Sequence, residues 1–165
     1  MSAKQKKSWN EKLHDSKDLP KVEKMTGRMA EKFGKGTLVI PAPPEVDEFM
    51  KKIPKGKLST INHIREALAT RHHATIACPM TTGIFAWIAA NASEEAKACG
   101  VKRVTPYWRT LKSDGSLNDK YPEGAEVQAQ HLLDEGIGID FKNPEKPKVK
   151  NFEKYLFPTR RYANP

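Results

Sequence analysis

Apolar positions in the middle of the chain recur with helical spacing. Val46, Phe49, Met50 and Ile53 stand at i, i+3, i+4 and i+7 after the Pro41-Ala42-Pro43-Pro44 run, and Pro44 suits a first helical turn. This predicts a helix from Pro44 that packs by one apolar stripe. Pro54-Lys55-Gly56-Lys57 breaks it, and Ser59 or Thr60 can cap a following helix, ending near Thr70, in which Ile61, Ile64 and Leu68 share a face. A third helix follows Pro79: Met80 to Asn91 is apolar almost all round, the pattern of a buried helix, with Glu94 to Cys99 as a more solvated extension and Gly100 as its end. The last predicted helix runs from Gly124 to about Glu135, burying Val127, Leu132 and Leu133, and stops at Gly136.

Extended segments are fewer. Thr37-Leu38-Val39-Ile40 fits a short strand or a polyproline-like arm equally well. Tyr107 to Leu111 reads as a strand, with Ser113-Asp114-Gly115-Ser116 turning towards a second short strand or loop. At the start, residues 1–8 read as a disordered basic segment, Trp9 to Ser16 as a short helix before Asp18-Leu19-Pro20, and Lys21 to Phe33 as a second helix stopped by Gly34 and Gly36. At the other end, Phe152, Tyr155, Phe157 and Tyr162 predict that parts of the tail dock while the rest wanders. The organisation expected is a basic N-terminal extension (1–43), one domain (44–137) and a basic C-terminal tail (138–165).

Composition narrows the class. With 165 residues, 38% hydrophobic and 30% charged, and no apolar run near the roughly 20 residues a bilayer span needs, the chain is expected to be soluble and without a membrane partner. Met1 to Lys7 is basic but is followed by no apolar signal region, and Cys78 and Cys99 cannot make a disulfide framework, so a cytoplasmic location is expected. Net charge is +9, divided as +5 over residues 1–35, −1 over 36–141 and +5 over 142–165. Basic flanks are either solvated tails or phosphate contacts. Arg71-His72-His73 invites a metal reading, but adjacent histidines diverge on a helix and no third ligand stands nearby. Solvated loop histidines, with no metal and no cofactor, are expected.

Five motifs in order carry a resemblance. They are Ile53-Pro54-Lys55-Gly56-Lys57-Leu58-Ser59-Thr60; Thr81-Thr82-Gly83 with Asn91; Pro106-Tyr107-Trp108-Arg109; Ser113-Asp114-Gly115-Ser116-Leu117 with Tyr121 and Gly124; and Leu132-Leu133-Asp134-Glu135-Gly136. Over residues 44–137 this resembles the DNA-binding domain of the methylated-DNA-protein-cysteine alkyltransferases. The family motifs are Val-Pro-x-Gly-x-Val-x-Thr, an Ala-Val-Gly…Asn recognition helix about two residues shorter than here, Pro-Cys-His-Arg and Leu-Leu-x-x-Glu-Gly. The resemblance implies a mainly α, winged helix-turn-helix-like domain with a short hairpin wing, its third helix entering a DNA groove.

The departures bear on chemistry. By this alignment Tyr107 stands at the acceptor cysteine, Trp108 at the histidine that activates it, and Glu135 alone matches the family's glutamate. Dealkylation needs a low-pKa thiolate, whereas a phenol has a pKa near 10 and an indole has no basic nitrogen. Methyl transfer at Tyr107 is therefore not expected, and the chain is not expected to be an enzyme of this class. Met80 replaces the arginine that enters the base stack, and reads as core packing or as an apolar wedge; Ile61 replaces a tyrosine that helps rotate the nucleotide. No basic residue lies between Pro79 and Lys97.

The expectation is an alkyltransferase-like protein that binds DNA, including alkylated guanine, without repairing it. Tyr107 would line the base pocket and Tyr121 flank it, with Arg109, Met80, Thr81, Thr82, Gly83, Asn91, Ser59 and Thr60 as DNA or base contacts. A pocket filled by Tyr107 would end the base-flipping part of that reading. The alternative is a winged-helix fold reused as a protein-interaction or structural module, motivated by the near-neutral centre and by Phe85 and Trp87. A further alternative moves the acceptor to Cys78 or Cys99; for Cys78, ahead of a helix start, a small buried cysteine is the competing role.

Overall fold

The chain folds, in a computed structural model that describes residues 5–158, around helices whose apolar faces match most of the spacing above. Helix α3 (Pro43–Lys51) begins where the Ala42 N–H donates to the Glu45 carboxylate at 2.9 Å, and its Val46, Phe49 and Met50 are fully buried, as is Ile53 just beyond it. Helix α4 (Ile61–Arg71) is capped by Thr60 Oγ1, which accepts from the His63 N–H at 3.3 Å; Ile64 and Leu68 are fully buried and Ile61 half-buried. Helix α5 (Pro79–Ala98) runs 20 residues and packs its small side chains, Ala86, Ala89, Ala90 and Ser93, inward.

Two helical expectations need correction. The apolar start of α5 is not buried all round: Met80, Ile84 and Trp87, at i, i+4 and i+7, are 73%, 45% and 38% exposed. The alanines allow close packing on one side and leave the bulky residues on the other. In α6 (Gly124–Asp134), Leu132 is buried but Leu133 is exposed and Val127 half-buried, because the inward position at the first turns is taken by Gln128. Its buried amide accepts from the Asn118 N–H at 2.7 Å and donates to the carbonyls of Trp108 at 3.1 Å and Thr110 at 3.4 Å, so the polar group is satisfied.

The stretch Lys21 to Phe33 is also not one helix. Lys21–Lys24 forms strand β1, Gly27–Phe33 helix α2 and Thr37–Ile40 strand β2. β1 runs antiparallel to β2 (Lys21↔Ile40), and β2 pairs in parallel with β4 (Ile76–Ala77) through Leu38↔Ile76. β1 is an edge strand whose Val22 is 46% exposed, so it is held by backbone bonds to β2 more than by side-chain burial. No side-chain periodicity marks such a pairing.

Tyr107–Arg109 forms a 3-10 turn, not a strand; only Thr110–Leu111 is extended, as β5, and it pairs in parallel with β3 (Ser59–Thr60). The following turn is present: Lys112 N–H donates to the Ser116 carbonyl at 3.0 Å, and Gly115 adopts φ 84°, a left-handed geometry suited to glycine. Among the described residues, no second strand of the expected hairpin pairs with β5. Ser116 instead bridges Lys148 at the start of β7 (Lys148–Val149), which pairs antiparallel with β6 (Ile139–Asp140).

Both flanks enter the packing. Leu13 of α1 (Trp9–Leu13) and Val39 of β2 lie in the main core with α3, α4 and α5; Ile139 and Val149 lie in a second core with Leu58, Leu111, Leu117 and Leu132; and Trp108 packs against both. The tail also crosses Leu58, whose N–H donates to the Tyr155 carbonyl at 2.9 Å and whose carbonyl accepts from the Phe157 N–H at 2.8 Å. Residues 1–4 of the start expected to be disordered, and Tyr162 of the tail, lie outside the described residues. His72 is not a solvated loop histidine: its Nε2 lies 2.6 Å from Glu45 Oε1 and it is partly buried. Among the described residues no group of three or more His, Cys, Asp or Glu could hold a metal, and no helix is long and apolar enough to cross a membrane.

Candidate nucleic-acid interface

The Pro106-Tyr107-Trp108-Arg109 turn sits where α3, α5 and α6 meet. Tyr107 is fully buried, its hydroxyl donates to the Glu94 carboxylate at 2.7 Å, and its ring stands edge-on to Trp108 and Tyr121 at 5.4 and 5.3 Å. Burial first, and then the bond to Glu94, push the phenol well above its ordinary pKa of 10.0 and keep it neutral. Trp108 Nε1 donates to Glu135 at 2.5 Å while its ring stacks on His131 at 4.0 Å. Arg109 donates from Nε to Glu135 at 2.9 Å and from Nη1 to the Ile53 carbonyl at 2.8 Å. The Gly56 N–H also reaches Glu135, at 3.0 Å. Burial alone would raise the Glu135 pKa, but Trp108, Gly56 and Arg109 together hold it below the usual carboxylate value. Glu135 thus ties the end of α6 to the 53–56 loop and the turn.

The open cavity lies to one side of this turn. A cleft of about 420 Å³ separates the start of α5 from the loop 112–118, with Ile61, Gly83, Ala86, Leu111 and Tyr121 among its apolar lining and Asp114 among its polar one. Tyr121 is 3% exposed and its hydroxyl donates to the Thr110 carbonyl at 3.2 Å; burial raises its pKa as well. Next to the cleft, a groove of about 450 Å³ is lined by Met80, Ile84, Trp87 and Lys120. Gly83, Lys112 and Asn118 line both, so cleft and groove form one continuous surface. A Cβ built on Gly83 meets nothing within 4 Å. The loop side is held by Asp114, which accepts from the Ser116 N–H at 3.0 Å and pairs with Lys146 at 2.8 Å; Lys146 and then Ser116 hold its carboxyl far below the usual range.

The residues singled out from sequence divide between this surface and the interior. Met80 and Gly83 line the surface and Tyr121 its inner wall; Thr81 is half-buried, its hydroxyl without a partner; Asn91 donates to the Trp87 carbonyl at 2.9 Å. Ser59 and Thr60 are buried, Thr82 is buried with its hydroxyl on the Cys78 carbonyl at 2.7 Å, and Tyr107, Trp108, Arg109 and Glu135 bond to one another's surroundings rather than facing the cleft. The Tyr107 ring lies in the core and is not among the residues lining the open cleft beside Tyr121. Cys78, half-buried at the α5 N-cap, and Cys99, exposed at its C-cap, are both free and neither lines the cleft.

The sequence did not mark Lys112, Asn118 and Lys120 as lining this surface, half-buried Glu94 as the partner of Tyr107, or Gln128 as interior. The signal for the outer face of α5 was present: alanine and serine fill one side of its helical wheel and Met80, Ile84 and Trp87 the other. The signal for Gln128 was not, since a polar residue within a helix reads as solvent-facing.

No protein-family model matches the chain, and no curated protein matches it. Two solved structures are similar in fold. A crystal structure of S. pombe ATL in complex with DNA aligns at a TM-score of 0.50 and 20% identity over 70% of this chain and 94% of that one. S. pombe Atl1 in complex with damaged DNA containing O6-carboxymethylguanine gives 0.48 and 19% over the same shares. At 20% identity the likeness to the S. pombe ATL structure bears on the fold alone.

Proposed function

We propose that this protein is an alkyltransferase-like DNA-binding protein that holds DNA, alkylated guanine included, without transferring the alkyl group. The observation carrying the reading is the outer face of α5, where exposed Met80, Ile84 and Trp87 line a groove with Lys120 that continues, past Lys112, into an open cleft. An exposed apolar face on the third helix of a helix-turn-helix order, beside a cavity that can take a flipped base, suits a groove-binding role. The DNA complex of the S. pombe ATL neighbour agrees with it. Absence of transfer is supported by Tyr107: its phenol is neutral, buried and committed to Glu94, so this position offers the cleft no nucleophile. The binding unit would be residues 44–137, with the basic flanks adding phosphate attraction.

Fluorescence anisotropy with duplexes, with and without O6-methylguanine, tests the proposal. Binding that weakens steeply with added salt is expected, since counterion release accompanies each phosphate contact. Absence of binding at low salt would refute it. The second reading, a protein-interaction module, is favoured by the exposure of Ile84 and Trp87. A specific protein partner that binds this face while DNA does not would select it.

A further inference from the structure

The face of α5 departs from an ordinary groove-reading helix in two respects. Met80 is 73% exposed at its first turn, and no Lys or Arg occurs on the helix before Lys97. The cations that line the groove come from the loop: Lys112, which pairs with Asp119 at 3.5 Å, and Lys120, which makes no ion pair among the described residues. A helix so built gains little from the phosphates of an undistorted duplex. It gains more where an apolar side chain can leave water, and a gap in the base stack is such a place.

The cleft chemistry points the same way. The two tyrosine hydroxyls nearest the site are spent, Tyr107 on Glu94 at 2.7 Å and Tyr121 on the Thr110 carbonyl at 3.2 Å, and Ile61, Gly83, Ala86 and Leu111 supply an apolar lining. Neither phenol is available to read a substituent on a base. Of the polar groups on the loop side, Lys112 pairs with Asp119 at 3.5 Å and Asp114 with Lys146 at 2.8 Å; the cost of opening the stack, lowest where a base is already unpaired, supplies a selectivity that needs no such contact. From the exposed Met80, the uncharged helix and the adjoining open cleft, we infer that the preferred ligand is DNA that is locally unstacked, as at a single-base bulge, with Met80 entering the gap and the loose base entering the cleft. The inference rests on the DNA-binding reading above and specifies its ligand.

The test measures anisotropy of the full chain, as wild type, Met80→Ala and Met80→Leu, with three labelled duplexes: fully paired, single-base bulged, and paired with one O6-methylguanine. Wild type should bind the bulged duplex about tenfold more tightly than the paired one, Met80→Ala should shrink that ratio to about twofold or less, and Met80→Leu should keep most of it. Because Met80 is exposed, both variants should fold, which circular dichroism confirms. Equal binding to bulged and paired DNA, a preference confined to the O6-methylguanine duplex, or a bulge preference untouched by Met80→Ala would each overturn the inference while leaving DNA binding standing. Binding to none of the three overturns both.

Discussion

Tyr107 decides the chemistry of this protein by where its ring goes. A phenol at the reactive corner of an open pocket would be a poor nucleophile; one enclosed by Trp108 and Tyr121 and bonded to Glu94 is not presented at all. Restoring the thiol should therefore not restore transfer. Tyr107→Cys is expected to take up no methyl group from an O6-methylguanine duplex by mass spectrometry, because Trp108 supplies no base to activate it. It should also lower stability by about 3 kcal/mol or more, as a buried aromatic ring is truncated. A mass gain of one methyl would contradict the account. That position 107 carries a phenol in place of a thiol was legible from the residue type alone; that its ring is in the core was not, because its partner Glu94 lies 13 positions earlier on a helix that reads as solvated there. Glu135 was legible only as a motif match, and its role as a joint for Gly56, Trp108 and Arg109 follows from three segments distant in sequence.

At the scale of elements, α5 has two different sides. Alanine spacing lets α3 approach one of them, and the other carries Met80, Ile84 and Trp87 towards the groove. Gly83 lies between these, lines the cleft, and has room for a side chain. Gly83→Leu replaces a poor helix former with a good one and should leave thermal stability unchanged or raise it by up to about 1 kcal/mol. The same change fills the cleft, so affinity for DNA should fall by about tenfold, or 1.4 kcal/mol. A variant as tight as wild type in anisotropy would show that the cleft is not used. The helices α3 to α6 were readable because each buries a stripe of its own residues. Strand β1 was not, since its pairing with β2 is a backbone matter, and the strand predicted over Tyr107 to Leu111 shortened to β5 because the 3-10 turn serves to bury Tyr107 and aim Arg109 at Glu135.

On the scale of the whole molecule, the flanks read from charge as extensions also complete the cores. Leu13 and Val39 come from before residue 44 and Ile139 and Val149 from after residue 137, and α1 is further fixed by the Glu95 carboxylate, which accepts from the Trp9 and Asn10 N–H groups at 2.9 and 3.1 Å. A fragment of residues 44–137 is accordingly expected to melt well below the full chain or to fail to fold, since four buried apolar side chains are each worth about 1.5–3 kcal/mol. Calorimetry of the two proteins checks this, and equal melting temperatures would contradict it. Flank charge was visible in the sequence, but flank packing was not, because single apolar residues such as Leu13 and Val149 carry no periodicity. The central claim, DNA bound across the outer face of α5 with no bond made to it, is tested most directly by 15N chemical-shift mapping of the full chain titrated with a duplex at low salt. The largest shifts are expected at Met80, Gly83, Ile84, Trp87, Lys112 and Lys120, with Tyr107 little affected; shifts absent from α5, or confined to another face, would contradict DNA binding there.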